Sequence, residues 1–211
     1  MALMLEWAML NEILLGSLLL VGDSHTVGPF GQKLDQELRT LGVPVTLASS
    51  CGTIAANWYR SGATTTCGYL ERDANGATRQ GTRGAVPQFT ALLQETAPSH
   101  VIVALATNYA NFPDENFIVS DMRRMAQDVV NSGAKCFWVG MPTSRKLADK
   151  HEKIDRLTRR AVGDLCTYFN SFPVTTYPAT GGDGIHFYFP GGPAVAQHWA
   201  LKVFEAFTAE E

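Results

Sequence analysis

A serine, an aspartate and a histidine in this chain have the types and spacing of a nucleophile and its base. Ser24 comes directly after a short apolar run that ends in Gly22-Asp23. Far along the chain, Asp183 lies three residues before His186. A serine hydroxyl becomes an effective nucleophile when a base takes its proton, which His186 can do while Asp183 orients the imidazole. These residue types predict acyl transfer through a covalent acyl-enzyme.

An acyl-transfer site also needs hydrogen-bond donors for the charge that develops on the carbonyl oxygen. Losing one such donor typically raises the barrier by about 2.7–4 kcal/mol. Ser24 and Gly52 can each supply a backbone N–H, and Asn108 can supply its side-chain amide. Gly52 has no Cβ, so a ligand can approach its N–H closely. The sequence therefore predicts an oxyanion hole built from Ser24, Gly52 and Asn108.

Each of these residues also has an ordinary structural interpretation. A serine after a strand can cap a helix, and Asp183-Gly184 can form a turn. Asn108 and Gly52 can be simple loop residues. His25 can cap a helix or line the site, and we assign it no catalytic role. The candidates favour catalysis as a set, because they follow successive apolar runs of the chain.

Short apolar runs alternate with amphipathic segments along the chain. This alternation favours a parallel sheet with helices on both faces, and ligands of such sheets bind at the carboxyl ends of the strands. We therefore expect the candidate residues at one edge of the sheet. Residues 49–84 are rich in glycine and predict a long functional loop. The predicted strands cover 18–21, 43–48, 100–105, 134–139 and 174–177, and the predicted helices cover 29–41, 85–96, 114–132, 146–168 and 193–207.

Gly22-Asp23-Ser24, together with Gly52, Asn108 and Asp183-x-x-His186, resembles the four sequence blocks of the SGNH, or GDSL, hydrolase family. The blocks occur in the order of that family, and the resemblance runs from about residue 18 to the C-terminus. It implies an α/β fold, a three-layer α/β/α sandwich with a five-stranded parallel sheet of the flavodoxin-like type. It also implies hydrolysis of esters, thioesters or acetylated sugars, without a metal or another cofactor.

The sequence departs from the family pattern at two places. The third block usually has the sequence Gly-x-Asn-Asp, and here it is Ala106-Thr107-Asn108-Tyr109. Tyr109 removes a carboxylate and predicts an aromatic ring at the edge of the site. The usual Leu after Gly-Asp-Ser is replaced by His25. The catalytic set itself is complete, so the resemblance still implies an active serine esterase.

Aromatic and polar side chains in the loops suggest a carbohydrate substrate. We predict Trp58, Arg60, Tyr109 and Asn111 as substrate-binding residues, although the aromatic ones can also pack within their loops. An O-acetyl group on a polysaccharide such as peptidoglycan is the first candidate. The alternatives are a lipase or thioesterase for a longer acyl chain, an acetyltransferase, and a carbohydrate-binding protein that retains the fold without turnover.

Length and charge narrow the class of protein. A chain of 211 residues favours one domain, which we place at 16–211. A net charge of −3 argues against binding to nucleic acid, and leaves a small-molecule or polysaccharide ester as the expected partner. Residues 1–15 are apolar but contain two glutamates and no Lys or Arg, unlike a membrane span or a signal peptide. This segment is a helix packed on the domain, a remnant foreign to the native fold, or a membrane or partner helix.

The four cysteines bear on the compartment. Cys51 and Cys67 flank a loop, and a bridge between them would contribute about 3 kcal/mol in the chain-entropy model. Such a bridge favours a periplasmic or secreted protein, and its absence favours the cytoplasm. Cys136 and Cys166 are predicted to be buried free thiols. No C-x-x-C pair and no histidine spacing suggests a metal site.

Overall fold

The computed structural model describes residues 16–209, so the predictions for the segment 1–15 lie outside the described residues. The strands are β1 (Leu18–Gly22), β2 (Val45–Ser50), β3 (Thr64–Thr65), β4 (Tyr69–Arg72), β5 (Thr78–Gly81), β6 (Gly84–Ala85), β7 (His100–Ala104), β8 (Lys135–Val139) and β9 (Thr167–Phe169). The helices are α1 (Ser24–Val27), α2 (Pro29–Arg39), α3 (Phe89–Thr96), α4 (Glu115–Asn131), α5 (His151–Val162) and α6 (Gly192–Thr208).

The central sheet has seven strands in the order β5-β4-β2-β1-β7-β8-β9. Five neighbouring strands are parallel: β2, β1, β7, β8 and β9. Beyond β2, the strand β4 pairs antiparallel with β2, and β5 pairs antiparallel with β4. The parallel part has the flavodoxin-like order, with the first strand between the second and the third. The predicted five-stranded parallel sheet is thus confirmed and is extended by an antiparallel hairpin.

Helices cover both faces of this sheet, as the α/β/α prediction requires. Every residue of β1 is buried, because a central parallel strand contacts a helical layer on each side. Leu19 and Val21 pack in the core under α3, α4 and α5, while Leu18 and Leu20 pack under α2 and α6. This alternation follows from the two-residue period of a strand.

At the C-terminal side, one predicted helix is present with shorter bounds and one predicted strand is wrong. The predicted helix 146–168 begins only at His151 and ends at Val162, before Gly163, which has low helix propensity. The β-branched and aromatic residues that follow form β9 instead, the fifth parallel strand. The predicted strand 174–177 is absent from the described strands, because residues 172–174 form a 3-10 turn around Pro173.

The glycine-rich segment 49–84 is also more ordered than a loop. It contains β3, β4 and β5, of which β4 and β5 form the hairpin that extends the sheet. β3 pairs with β6 in a separate two-stranded sheet. Long-range pairing with the exposed edge of β2 supplies the order that short-range periodicity does not show.

All four cysteines are bridged. The predicted Cys51–Cys67 disulfide is present. Cys136 and Cys166 also form a disulfide, so the prediction of two free thiols is wrong. Phe137 of β8 pairs with Thr167 of β9, so the two residues that precede them, Cys136 and Cys166, lie next to each other. Among the helices of residues 16–209, none has the length and apolar character needed to cross a membrane.

Candidate active site

The carboxyl ends of β1, β2 and β7 lie level with one another. Gly22 pairs with Ser49 on one side and with Ala104 on the other. The loops that leave these strands carry Ser24, Gly52 and Asn108, and the loop before α6 carries Asp183 and His186. The sheet topology therefore places the four sequence blocks at one edge, as predicted.

The serine, histidine and aspartate form a continuous hydrogen-bonded chain. His186 Nε2 lies 2.8 Å from the Oγ of Ser24. His186 Nδ1 lies 2.6 Å from Oδ2 of Asp183. A base within 2.6–3.2 Å of a hydroxyl can remove its proton. The geometry is that of a nucleophile, a base and an orienting carboxylate.

Asp183 is held by the backbone of its own turn. Its Oδ1 accepts from the N–H groups of Ile185 at 2.8 Å and His186 at 2.7 Å. Partial burial raises the pKa of Asp183, but the hydrogen bonds from the His186 ring and from these N–H groups outweigh it and hold the pKa well below its usual value. The carboxylate is therefore ionised, and can stabilise a positive charge on the imidazole.

Two backbone N–H groups at the site are free to meet an oxyanion. Asp23 caps α1 by accepting the N–H of His25 at 3.0 Å, which leaves the N–H of Ser24 unengaged within residues 16–209. The N–H of Gly52 likewise has no acceptor in that part of the chain. Gly52 has φ +77°, a conformation that favours glycine.

Asn108 ties the two donor loops together. Its Nδ2 donates to Oδ2 of Asp23 at 3.2 Å and to the carbonyl oxygen of Thr53 at 3.0 Å. Asp23 immediately precedes the nucleophile, and Thr53 immediately follows Gly52. Both hydrogens of this amide are engaged with the residues that flank the two free N–H groups. The direct donation from Asn108 to the oxyanion therefore stays a prediction, and it requires one of these two hydrogen bonds to be exchanged.

A buried acid and a buried base, Asp23 and His25, lie beside Ser24. Burial raises the pKa of Asp23 to about 7, against the effect of the His25 N–H. Burial lowers the pKa of His25 to about 3, with a further decrease from nearby His186. The ring of His25 packs against Phe187 and Trp199, and its Nε2 has no hydrogen-bond partner in the described structure. His25 is therefore a neutral packing residue.

Two of the four predicted substrate-binding residues lie in the core. Trp58 and Tyr109 are fully buried, so neither ring is exposed to stack on a sugar. Trp58 Nε1 donates to Oγ1 of Thr53 at 3.2 Å, and the Tyr109 hydroxyl donates to Asp121 at 2.6 Å. Their role is to hold the loops of the site. Arg60 and Asn111 are exposed, and their binding role stays a prediction.

Sequence reasoning missed two tyrosines at the site. The Tyr177 hydroxyl accepts the N–H of Gly184 at 2.9 Å and donates to the carbonyl oxygen of His186 at 3.1 Å. Tyr188 is 63% exposed and borders a small pocket with Ser24 and His186. In the sequence, both tyrosines belong to a cluster of aromatic residues around His186.

Solved structures share this fold, although no protein-family model and no curated protein matches the sequence. TesA is 20% identical, with a TM-score of 0.59 over 89% of this chain and 99% of its own. A peptidoglycan O-acetylesterase is 13% identical, with a TM-score of 0.61 over 98% of this chain and 96% of its own. A GDSL-like lipase from Bacteroides thetaiotaomicron VPI-5482 is 15% identical, with a TM-score of 0.56 over 93% and 90%.

The chain has the SGNH hydrolase fold. The fold expected from the sequence resemblance is therefore confirmed by structural similarity. In this SGNH fold the residues of the four blocks are also the residues that lie together at the carboxyl edge of the sheet. Among residues 16–209, no cluster of three or more His, Cys, Asp and Glu side chains has the arrangement of a metal site.

Proposed function

We propose that the protein is a serine esterase that forms an acyl-enzyme on Ser24. One observation carries this proposal: the unbroken hydrogen-bonded chain from Ser24 through His186 to Asp183, with distances of 2.8 and 2.6 Å. A helix cap would explain Ser24 alone, and a turn would explain Asp183 alone. Neither explains why the imidazole bridges both side chains.

The proposed reaction has two halves. Ser24 Oγ attacks the ester carbonyl while His186 Nε2 takes its proton, and the carbonyl electrons move onto the oxygen. The oxyanion collapses, and His186 returns the proton to the leaving alcohol. Water then attacks the acyl-enzyme with His186 again as base, which releases the acid and restores the Ser24 hydroxyl. Asp183 stabilises the imidazolium throughout.

The oxyanion is met by the free N–H groups of Ser24 and Gly52. Asn108 holds the two loops that carry these donors through its bonds to Asp23 and Thr53. These donors are fixed before the substrate arrives. Preorganised donors act on the charge that develops in the transition state, so they lower the barrier rather than tighten substrate binding.

For the substrate, we propose a carbohydrate O-acetyl ester. The pocket beside Ser24 is small and bordered by Gly28 and Tyr188, which suits an acetyl group better than a long acyl chain. Tyr188, Arg60 and Asn111 are exposed and offer aromatic and polar contacts for a sugar. The similar structures include a peptidoglycan O-acetylesterase, and also TesA and a lipase, so a lipase or thioesterase is the alternative.

A location outside the cytoplasm fits this substrate. Disulfides persist mainly in oxidising compartments such as the periplasm or the extracellular space. The chain has two disulfides, and both lie within the described domain. We therefore propose a periplasmic or secreted enzyme.

The test compares hydrolysis of 4-nitrophenyl acetate and 4-nitrophenyl octanoate by the wild type and by Ser24→Ala. We expect cleavage of the acetate, little cleavage of the octanoate, and loss of activity in Ser24→Ala. Release of acetate from O-acetylated peptidoglycan then tests the sugar. A preference for octanoate would contradict the proposed deacetylase and favour a lipase or thioesterase. Sugar binding without turnover by the wild type would support the non-catalytic alternative.

A further inference from the structure

We propose that Thr65 and the Cys51–Cys67 disulfide position the Gly52 N–H, and so are positioning residues for catalysis at the oxyanion. This inference rests on the proposed esterase function. Gly52 lies beyond the end of the sheet, because the pairing of β2 with β4 stops at Ser50 and Tyr69. Something other than the strand ladder must therefore hold its peptide group.

Beyond the end of β2, the Cys51–Cys67 disulfide links the Gly52 loop to the segment before β4. Cys51 N–H donates to the carbonyl oxygen of Gly68 at 2.8 Å, and the two bridged Cα atoms are 5.5 Å apart. A Cβ built on Gly52 would lie 3.5 Å from the Sγ of Cys67. The bridge therefore lies beside Gly52, on the side where another residue would carry its Cβ.

Thr65 determines the direction of the donor. Its Oγ1 donates to the carbonyl oxygen of Cys51 at 2.9 Å. This carbonyl and the N–H of Gly52 belong to one peptide group, in which a trans bond points them in opposite directions. Thr65 is 3% exposed and Cys51 is partly buried, so water has limited access to this hydrogen bond. By binding the carbonyl, Thr65 directs the Gly52 N–H away from its own strand β3.

The second disulfide provides a matched control. Cys136 lies on β8 and Cys166 immediately before β9, at the other end of the sheet from the Gly52 loop. Both sulfurs belong to buried residues, at 6% and 8% exposure, whereas Cys67 is exposed. Removing Cys136–Cys166 takes away a covalent link of the same kind without touching the proposed donor.

The experiment measures kcat and KM for 4-nitrophenyl acetate in folded variants. We expect Thr65→Val and the pair Cys51→Ala with Cys67→Ala to lower kcat about tenfold to a hundredfold, short of the 10²–10³-fold loss of a whole donor. KM should change little, because the donor acts on the transition state. Thr65→Ser keeps the hydroxyl and should restore most of kcat. Cys136→Ala with Cys166→Ala should keep the wild-type kcat.

A second measurement does not depend on the folding of variants. Dithiothreitol reduces a disulfide to two thiols and becomes a cyclic disulfide, and it should attack the exposed Cys67 sulfur first. Loss of kcat in the wild type should parallel the fraction of Cys51 and Cys67 present as thiols, which is quantified by mass spectrometry on separate alkylated aliquots. Reoxidation of the enzyme that was reduced but not alkylated should restore kcat.

Wild-type kcat in Thr65→Val, or in the enzyme reduced only at Cys51–Cys67, would overturn the inference. An equal loss of kcat in the Cys136 and Cys166 control, or no rescue by Thr65→Ser, would also overturn it. Failure of the proposed function is distinct from these results, because the wild type itself would then show no turnover that depends on Ser24.

Discussion

The two halves of the site are held by different forces. The proton-transfer half, Asp183 and His186, has side chains that are 50% and 26% exposed, and hydrogen bonds of one surface turn hold it. The oxyanion half depends on Asp23, Thr53 and Thr65, which are each at most 3% exposed. Hydrogen bonds between different loops and a disulfide hold this second half.

The difference in solvent exposure fits the proposed role of each half in the reaction. The imidazole must exchange protons with alcohol and water, so access to solvent is useful there. The oxyanion donors must already point at the developing charge, because reorienting dipoles during the reaction would cost free energy. Exposed turns open at lower free energy than buried networks, so we expect the two halves to respond differently to perturbation.

The largest expected effect tests the proton-transfer half. Ser24→Ala and His186→Ala should each lower kcat by about 10⁴-fold or more, as for other nucleophile and base pairs. The double variant should be no worse than either single one, since the two residues act as a unit. Steady-state hydrolysis of 4-nitrophenyl acetate measures all three. Additive losses would show that they do not share one proton transfer.

The next effect tests the oxyanion half. Asn108→Ala should lower kcat by about 10²–10³-fold with little change in KM, because it removes an amide beside the two free N–H groups. Asn111→Ala is the matched control, as an exposed asparagine of the same 3-10 helix. It should keep kcat and change only KM for a carbohydrate ester. Equal kcat losses in both variants would contradict the assignment of Asn108.

A stability measurement tests the buried acid and base beside Ser24. The pKa of Asp23 rises from 3.8 to about 7 on folding, so this residue alone would destabilise the protein as pH rises through that window. The pKa of His25 falls from 6.5 to about 3, so this residue alone would destabilise the protein as pH falls through its window. Between pH 3.8 and 6.5 the two dependences oppose and cancel.

Replacing either Asp23 or His25 should therefore reveal the pH dependence of stability that the other residue causes. In Asp23→Asn, the free energy of unfolding relative to wild type should increase with pH by about 1.4 kcal/mol per unit between pH 4.5 and 6. His25→Gln should show the opposite slope. Urea unfolding at several pH values measures both. A pH-independent difference between Asp23→Asn and wild type would contradict a protonated Asp23.

The smallest expected change in kcat comes from a substitution at the surface turn that carries Asp183 and His186. Tyr177→Phe removes the hydroxyl that bonds Gly184 and His186, and a net hydrogen bond is worth about 0.5–1.5 kcal/mol. We expect kcat to fall by about threefold to tenfold, through a less well oriented imidazole. Tyr69→Phe alters a tyrosine of β4 instead and should leave kcat within twofold of wild type, to within about 0.4 kcal/mol. An unchanged kcat in Tyr177→Phe would show that the turn is held by Asp183 alone.

The candidate residues that the structure brings together include those whose spacing is local in sequence. Ser24 follows an apolar strand, and Asp183 and His186 share one turn, so their spacing and the order of the four blocks indicated a nucleophile, a base and its carboxylate. Trp58 and Tyr109 were placed at the edge of the site because they lie in glycine-rich or polar loops. Both side chains pack in the hydrophobic core, and their polar atoms bond to Thr53 and Asp121, which periodicity cannot indicate.

The class of fold can be predicted from the sequence because short apolar strands alternate with amphipathic segments along the chain. Ser24 and His186 can be predicted as a nucleophile and its base from their local spacing together with the order of the four blocks. Only the tertiary structure decided that Cys136 meets Cys166 and that segment 49–84 extends the sheet. It also decided that Thr65 binds the carbonyl of Cys51. These features join residues that are far apart in the chain, and the packing of the whole domain selects which partners meet.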